Sequence, residues 1–209
     1  MLTCPLVLMD PKFNRCWNTN NPLYLKYHDE EWGVPVHDDR KLFELLILEG
    51  FQAGLTWELI LKRREALKKA FSSFNPLKIA ELTEEDTKAI LNNPEVIRNK
   101  AKVEATINNA RQFLQIQKEF KTFDTFIWQF VEGKPITHAF KSWTEMPSET
   151  EESKAMSKEL KKRGFKFVGP TICYAFIQAV GMVNDHLVNC FRYNQIKKMT
   201  LQKDNNLKA

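Results

Sequence analysis

An apolar stripe at helical spacing that contains one acidic side chain constrains the fold of this chain more than any other feature. Asp38 is a good N-cap for a helix that begins at Asp39. In the stretch LFELLILEGFQAGLTW, four residues then follow the i, i+3, i+4, i+7 pattern of one helix face: Leu42, Leu45, Leu46 and Glu49. Burying a carboxylate is costly unless it is paired or hydrogen-bonded. Glu49 is therefore either a core acid that meets a tyrosine or a backbone amide, or a site residue that meets a ligand.

The rest of the pattern predicts an all-α protein with one main domain. No window alternates like a strand, and only 7 glycines interrupt the chain. Helices are predicted over about 39–50, 57–71, 85–92, 99–120, 123–131 and 170–181, with Thr56 and Thr83 as N-caps. A capping box at Ser148 and Glu151 opens another helix, which ends at Gly164, after a long loop over 134–147. We divide the chain into an N-terminal extension (1–14), a domain (15–193) and a polar, frayed tail (194–209).

Composition and charge favour an intracellular protein with an acidic partner. The net charge is +5 and the sequence pI is about 8.9, with basic clusters at 62–64, 68–69, 98–102 and 161–163. Each cluster by itself is typical of a solvated helix face. The four cysteines are too few and too scattered for a disulfide scaffold. There is no run of about 18 apolar residues and no signal-peptide pattern, so we expect a cytoplasmic monomer that does not contact membranes.

Two helices joined by a short, cationic link form the second informative feature. The first helix ends near Asn92, and Arg98, Lys100 and Lys102 surround the start of the second. Free backbone N–H groups at a helix N-terminus, flanked by cations, suit a DNA phosphate. The pattern indicates a helix-hairpin-helix motif near residues 84–119 that binds the DNA backbone. A plain helical turn has the same spacing and is the alternative.

Two pairs of cysteine and histidine stand near opposite ends of the domain: Cys16 with His28, and His186 with Cys190. The second pair is spaced i, i+4, so on a helix both side chains would face the same way. Two thiolates and two imidazoles make a closed tetrahedral set that is typical of structural Zn²⁺. We predict one structural zinc ion per chain, which ties the two ends together. Because the spacing differs from that of ordinary zinc fingers, unrelated buried cysteines and surface histidines are the alternative.

Six segments taken together resemble bacterial DNA-3-methyladenine glycosylase I. They are RCW (15–17), YHDEEWGVP (27–35), LFELLILEGFQAGLTW (42–57), VIRNKAKVEA (96–105), KKRGFKFVGPTICYAFIQAVG (161–181) and VNDH (183–186) with the final cysteine, Cys190. The resemblance covers roughly residues 15–190. It implies a helix-hairpin-helix glycosylase fold with a zinc ion joining the termini. It also implies an enzyme that flips 3-methyladenine out of alkylated double-stranded DNA and hydrolyses its N-glycosidic bond.

The resemblance also implies roles for individual residues. The zinc ligands carry over to Cys16, His28, His186 and Cys190, and the base pocket carries over to Tyr27, Trp57, Trp17 and Trp32. Glu49 carries over as the residue that recognises the base and aids catalysis. The family resembled is monofunctional, so no lyase nucleophile is expected, and free 3-methyladenine is the product. Residues 52–55 adjoin the pocket and end in Leu55, which we expect to fill the gap left in the duplex.

The chain departs from the family pattern at two positions. Trp17 follows Cys16 directly, where the family commonly has one residue between them, and this bears on the pocket role of Trp17. Ala101 stands where a glycine can occur, and this affects how closely a phosphate can approach.

Two other hypotheses remain open at this point. A zinc-stapled DNA-binding module without enzymatic activity would leave Glu49 among aromatic residues without a purpose. A purely structural helical domain would leave the basic helix starts unexplained.

Overall fold

Helices form most of residues 14–206, the part of the chain that the computed structural model describes. The ten α-helices in this range are α1 (Pro22–Glu30), α2 (Asp39–Gln52), α3 (Trp57–Ala70), α4 (Pro76–Ala80), α5 (Glu84–Asn92), α6 (Lys100–Phe120), α7 (Phe123–Trp128), α8 (Glu151–Lys162), α9 (Pro170–Ala179) and α10 (Phe191–Asn206). Two-residue strands β1 (Ile136–Thr137) and β2 (Val183–Asn184) and three 3₁₀ turns complete the described structure. The predicted all-α class is confirmed.

Side-chain caps explain where several helices begin. Asp38, Thr56 and Thr83 cap α2, α3 and α5 as predicted, each accepting a hydrogen bond from a first-turn N–H group. The capping box predicted at Ser148 and Glu151 is wrong. Thr150 is the N-cap of α8: its hydroxyl oxygen accepts from Ser153 N–H, and its own N–H donates to the hydroxyl oxygen of Ser153. A serine at the third helical position can thus replace the glutamate that the capping-box pattern led us to expect.

Helix α2 lies at the centre of the molecule, where it packs against α3, α6, α7 and α9. Its buried residues are distributed around the helix: Leu42, Phe43, Leu45, Leu46, Ile47, Leu48, Glu49 and Phe51. A helix that is apolar on all sides is typical of the middle of a core. The sequence pattern therefore brings Glu49 into the interior on a helix that is surrounded by others.

Helices α5 and α6 pack against each other across the link formed by residues 93–99. Val96 is 3% exposed, so its burial in the core holds the link against the rest of the domain. Asn99 caps α6, and its side chain accepts a hydrogen bond from the Lys102 N–H at 3.1 Å. This arrangement confirms the predicted helix-hairpin-helix motif.

The predicted loop at 134–147 contains strand β1, which pairs in parallel with β2. The partners are Ile136↔Val183 and Thr137↔Asn184. Further along, Val188 N–H donates to the carbonyl of Phe140 at 3.0 Å. A two-residue strand is too short to show alternation, so the sequence pattern did not predict it. These bonds hold the loop against the segment that follows α9.

Gly181 ends α9 where the backbone of another segment approaches very closely. Its φ is +67°, and a Cβ added there would lie 2.3 Å from the carbonyl carbon of Val34. Beside it, Val36 N–H donates to Val180 O and Gly33 N–H donates to Gln178 O. The chain just after Trp32 is therefore fixed against the end of α9.

The two predicted terminal segments are described to different extents. The predicted extension lies outside the described residues except for Asn14. The predicted tail begins within α10, which continues to Asn206 and leaves 207–209 undescribed. Within the described part of the chain, no helix has the length and apolar character needed to cross a bilayer.

Candidate active site and metal centre

Glu49 lies in the interior and keeps a polar atom without a partner. The residue is 3% exposed, and no group of the described chain forms a hydrogen bond with its buried Oε2. Desolvation raises the pKa of Glu49 to about 8, because burial disfavours the charged form. A core acid satisfied by a tyrosine or a backbone amide would not leave a buried oxygen unpaired. The environment of Glu49 therefore differs from that of a core acid whose oxygens are all paired.

Aromatic side chains surround Glu49 and line a cavity of about 260 Å³. The four aromatic residues predicted for the base pocket all line it: Trp17, Tyr27, Trp32 and Trp57. The rings of Tyr27 and Trp57 lie 5.1 Å apart between centroids, and Trp17 is nearly parallel to Tyr27 at 6.1 Å. The Nε1–H group of Trp57 is buried without a partner among the described residues. Two residues that line the cavity, Glu49 and Trp57, therefore each bury a polar atom that has no hydrogen-bond partner among the described residues.

The cavity is also lined by residues that the sequence did not lead us to expect there: Tyr24, Gln52, Trp143, Ala175 and Gln178. Tyr24 lies one helical turn before Tyr27, and Gln52 one turn after Glu49, so helical spacing could have indicated both. Trp143 comes from the loop after β1, and Ala175 and Gln178 come from α9. No local pattern links these three to α1 and α2. Only the packing of distant segments brings them to the cavity.

A tight turn follows the cavity at the end of α2. Leu55 N–H donates to Gln52 O at 2.6 Å, and Gly54 adopts a φ of +73°. Positive φ at the third position of such a turn favours glycine. The side chain of Leu55 is 36% exposed at this turn, while Gln52 lines the cavity. The turn therefore presents an apolar side chain to solvent next to the aromatic pocket.

The three cations predicted to contact DNA phosphates have different environments. Arg98 and Lys100 are exposed near the start of α6. Lys102 is 6% exposed, and its Nζ donates to Phe51 O at 2.7 Å and Ala53 O at 2.6 Å. Carbonyls at a helix C-terminus lack intrahelical partners, so this ammonium caps α2. Lys102 thus differs from the prediction, because its charge is directed at the protein interior instead of at a phosphate.

Two of the other basic clusters also contain a cation that is paired within the protein. Arg64 donates to Glu31 at 2.8 and 2.9 Å and to Glu44 at 2.7 Å. Arg163 donates to Glu119 at 2.6 and 3.1 Å. These pairs reduce the positive charge that the clusters at 62–64 and 161–163 could offer to an acidic polymer.

The predicted metal ligands from the two ends of the domain meet in one buried cluster. One ligand atom from each of Cys16, His28, His186 and Cys190 lies within 4.8 Å of the other three. His186 Nδ1 lies 3.4 Å from Cys16 Sγ and 3.6 Å from Cys190 Sγ, and His28 Nε2 lies 3.5 Å from Cys190 Sγ. Tetrahedral bonds of about 2.3 Å to sulfur and 2.0 Å to nitrogen separate such atoms by about 3.5 Å. The donor set therefore fits one tetrahedral metal ion.

Neighbouring groups orient both imidazoles for this role. His28 Nδ1 contacts Asp29 Oδ1 at 2.7 Å, and His186 Nε2 contacts Trp32 O at 3.0 Å. Each contact occupies the nitrogen that points away from the cluster, as is usual for histidines that ligate metals. Leu187 N–H donates to Cys16 Sγ at 3.3 Å, which favours a thiolate there.

His186 and Cys190 meet without being on a helix, contrary to the geometry expected from their spacing. Helix α10 begins only at Phe191, and residues 185–190 form turns. Cys190 N–H donates to Leu187 O at 2.8 Å and closes one of these turns. A tight turn brings residues four positions apart about as close together as one turn of a helix does. The two side chains therefore reach one cluster, as predicted, although they do not lie on the predicted helix.

The fold is that of a helix-hairpin-helix DNA glycosylase-like protein. Its defining features are the helix hairpin, the aromatic cavity around a buried carboxylate, and the cysteine and histidine cluster that joins the two ends of the domain. Residues 17–193 match the model of one family, Methyladenine glycosylase. The chain belongs to this methyladenine glycosylase family.

Named relatives support this assignment. The chain is 48% identical over 180 residues to "DNA-3-methyladenine glycosylase 1" of Escherichia coli (strain K12). The aligned region covers 86% of this chain and 96% of that protein. A crystal structure of 3-methyladenine DNA glycosylase I (TAG) superposes with a TM-score of 0.83 at 49% identity, covering 85% of this chain and 98% of the other. A second crystal structure, of a variant of 3-methyladenine DNA glycosylase I in complex with 3-methyladenine, has a TM-score of 0.82 at 36% identity, covering 84% and 94%.

Proposed function

We propose that this protein is a DNA-3-methyladenine glycosylase, which flips 3-methyladenine out of alkylated double-stranded DNA and hydrolyses its N-glycosidic bond. The observation that carries the proposal is the buried, partly unpaired carboxylate of Glu49 inside an aromatic cavity. A chain of the methyladenine glycosylase family has a specific use for such a group. The product is the free base.

The charge of the substrate explains why a buried acid is useful. An adenine alkylated at N3 is cationic while it is attached to its sugar, so its glycosidic bond is already weak. A cation next to Glu49 favours the ionised carboxylate and offsets the desolvation that raises its pKa. Neutral adenine provides no such compensation. Glu49 therefore distinguishes the damaged base from the normal one, and it accepts hydrogen bonds from the amino edge of the damaged base.

The aromatic walls act in the same direction as the carboxylate. The faces of Tyr27 and Trp57 attract a cationic ring more strongly than a neutral one. Trp17 and Trp32 extend this aromatic surface. Burial, and next the charge of Glu49, raise the pKa of Tyr27 well above its usual value, so its phenol stays neutral. The pocket binds the base while water attacks the sugar carbon as the base departs.

We assign no lyase nucleophile to the protein. Among the described residues, no lysine lines the cavity, and Lys102, which lies near the end of α2, donates its Nζ hydrogens to two carbonyls. A lysine held in this way does not present a free amine to a sugar. We therefore propose a monofunctional hydrolase, in agreement with the family that the sequence resembles.

The hairpin and the turn after α2 provide the DNA-binding elements of the proposal. Arg98 and Lys100 contact phosphates beside the N-terminus of α6, where the helix dipole also favours an anion. Leu55 fills the space that the flipped base leaves in the duplex. Its exposure at a turn next to the pocket supports this role.

The metal in the cluster is one zinc ion per chain, held by Cys16, His28, His186 and Cys190. The sulfur and nitrogen donors and their separations support this choice. With four protein ligands there is no open position for a reacting water, so the ion has a structural role. The proposal places the enzyme with its DNA substrate in the cytoplasm, where it works as a monomer.

Analysis of the bases released from alkylated DNA tests the function. The wild-type protein should liberate free 3-methyladenine from methylated duplex DNA. Glu49→Gln keeps the size of the side chain and removes its charge. We expect single-turnover excision to fall about tenfold to a hundredfold, as for the loss of a charged hydrogen bond. No base release by the folded wild type would instead indicate a DNA-binding module without activity.

A thermal melt of the same Glu49→Gln protein is the control for this experiment. If Glu49 recognises the base, the variant should melt at or above the wild-type temperature, because it buries a neutral group in place of an acid. A large decrease in melting temperature, together with normal excision by the folded fraction, would show that Glu49 has a structural role instead.

A further inference from the structure

Trp143 is an exposed aromatic side chain at the cavity, and the proposed function assigns it no role. It begins the 3₁₀ turn Trp143–Glu145 in the loop between β1 and α8. Its surface is 41% exposed although it lines the cavity around Glu49. Among the exposed large apolar residues between 14 and 199, it is the one aromatic residue. Single exposed apolar residues are common on proteins, so the feature that distinguishes Trp143 is its position at the cavity.

The orientation of the Trp143 ring is fixed from both sides. Its Nε1–H group donates to the carbonyl of Cys16 at 2.6 Å. The ring is nearly parallel to Trp17, with an angle of 21° and centroids 6.4 Å apart, and it is tilted by 36° against Trp32 at 6.2 Å. The loop itself is held by Lys141 N–H, which donates to the carboxylate of Glu145. The indole therefore does not have to be ordered when a ligand arrives.

Trp143 continues the aromatic wall of the cavity outward. Tyr27 and Trp57 are 3% and 7% exposed and form its inner part. Trp17 contacts both Tyr27 and Trp143, and so connects the inner part to the exposed indole. The aromatic surface therefore runs without a break from the buried part of the cavity to an exposed indole.

We propose that Trp143 stacks on the flipped nucleotide at the mouth of the pocket and retains it there. This inference rests on the proposed function. The physical basis is that stacking on an indole buries apolar surface of both partners, and that an indole face attracts a cationic base. Because the ring is already oriented, little side-chain entropy is lost on binding. Trp143 is thus an additional substrate-contacting residue for the same reaction.

An alternative role for Trp143 is purely structural, through its hydrogen bond to the backbone of a metal ligand. Two substitutions separate these roles. Trp143→Phe and Trp143→Leu both remove the N–H donor, but only the phenylalanine keeps an aromatic face. A role through the Cys16 carbonyl would be lost equally in both variants, whereas a stacking role would survive in the phenylalanine variant.

The experiment combines calorimetric binding of free 3-methyladenine with single-turnover excision from methylated duplex DNA. We expect Trp143→Leu to weaken both by roughly tenfold, the usual cost of losing one base-stacking partner. Trp143→Phe should stay within about threefold of the wild type. Leu77→Ala, at an apolar residue that is 63% exposed and does not line the cavity, should match the wild type in both measurements. Metal content and melting temperature of each variant verify that the fold is retained.

Three results have distinct meanings. Wild-type binding and excision by Trp143→Leu would overturn the stacking role. Equal losses in the leucine and phenylalanine variants would also overturn it, because they would assign the effect to the Cys16 carbonyl. A wild-type protein that binds the free base but releases none from DNA would refute the proposed function, while the binding measurement would still decide the role of Trp143.

Discussion

The carboxyl group of Glu49 binds a proton more tightly in the folded protein than in the unfolded chain. Its pKa rises from 4.5 to about 8 because burial removes the charged form from water. The two tyrosines that face it, Tyr24 and Tyr27, have pKa values raised above 10 by burial and then by the charge of Glu49, so they remain neutral over this range. One acid therefore dominates the titration of the pocket between pH 5 and pH 8.

This difference in pKa predicts how stability depends on pH. When a group has a higher pKa in the folded protein than in the unfolded chain, proton binding stabilises the folded protein. This stabilisation is complete at pH values below the unfolded pKa and is lost as the pH rises towards the folded pKa. The free energy of unfolding of the wild type should therefore decrease from about pH 5 to about pH 8 relative to that of Glu49→Gln. Denaturant unfolding of both proteins at several pH values measures this difference. Parallel pH profiles would contradict the prediction.

At the scale of secondary-structure elements, Lys102 connects α6, the second helix of the hairpin, to the end of α2 beside the cavity. The residue lies in the first turn of α6, and its ammonium caps the C-terminus of α2 just before the turn that carries Leu55. Lys100, two residues earlier, faces solvent with its side chain 74% exposed. The two lysines thus have different environments, because residues two apart on a helix point to nearly opposite sides.

Methionine substitutions at these two lysines should separate their effects. Lys100→Met should change the free energy of unfolding by no more than about 0.5 kcal/mol. It should also reduce the slope of log binding constant against log salt concentration by the amount expected for about one phosphate contact, on every DNA sequence. Lys102→Met leaves two carbonyls without their donor, so it should cost about 1–3 kcal/mol of stability. Urea unfolding and binding titrations at several salt concentrations test the pair. An unchanged salt slope in Lys100→Met, or unchanged stability in Lys102→Met, would refute the corresponding assignment.

At the scale of the whole molecule, the cysteine and histidine cluster closes the chain on itself. Cys16 and His186 are 170 residues apart in sequence, yet their ligand atoms lie 3.4 Å apart. Trp32, which lines the cavity, accepts a hydrogen bond from His186 through its backbone carbonyl. The cysteine and histidine cluster therefore supports one wall of the cavity, and its four residues are not among those that line the cavity.

Removal of the metal should destabilise the protein without a direct effect on chemistry. Metal analysis should find one zinc ion per chain, and a strong chelator should lower the melting temperature, because binding to the folded state contributes to folding. The double variant Cys16→Ala, Cys190→Ala should lose the metal. Cys173→Ala, at a buried cysteine outside the cluster, should retain it. Zinc-free wild type, or zinc bound equally by the double variant, would refute the site.

The sequence by itself determined most of the helices, but not α1 or α10, and many of the residues that matter, because these depend on local spacing. Caps at Asp38, Thr56 and Thr83 and the period of α2 are short-range properties, and they predict the helices and the burial of Glu49 correctly. The cysteine and histidine set was predictable from its chemistry, since two thiols and two imidazoles suit one ion wherever they stand.

Only the tertiary structure decided which groups share a surface. Lys102 and Lys100 are equivalent in sequence, and the packing of α6 against the end of α2 makes Lys102 a buried cap and leaves Lys100 exposed beside Glu104. Trp143 reaches the cavity through its hydrogen bond to the carbonyl of Cys16, a contact between residues that are 127 positions apart. Such contacts arise from packing over long sequence separations, which no local pattern of residues encodes.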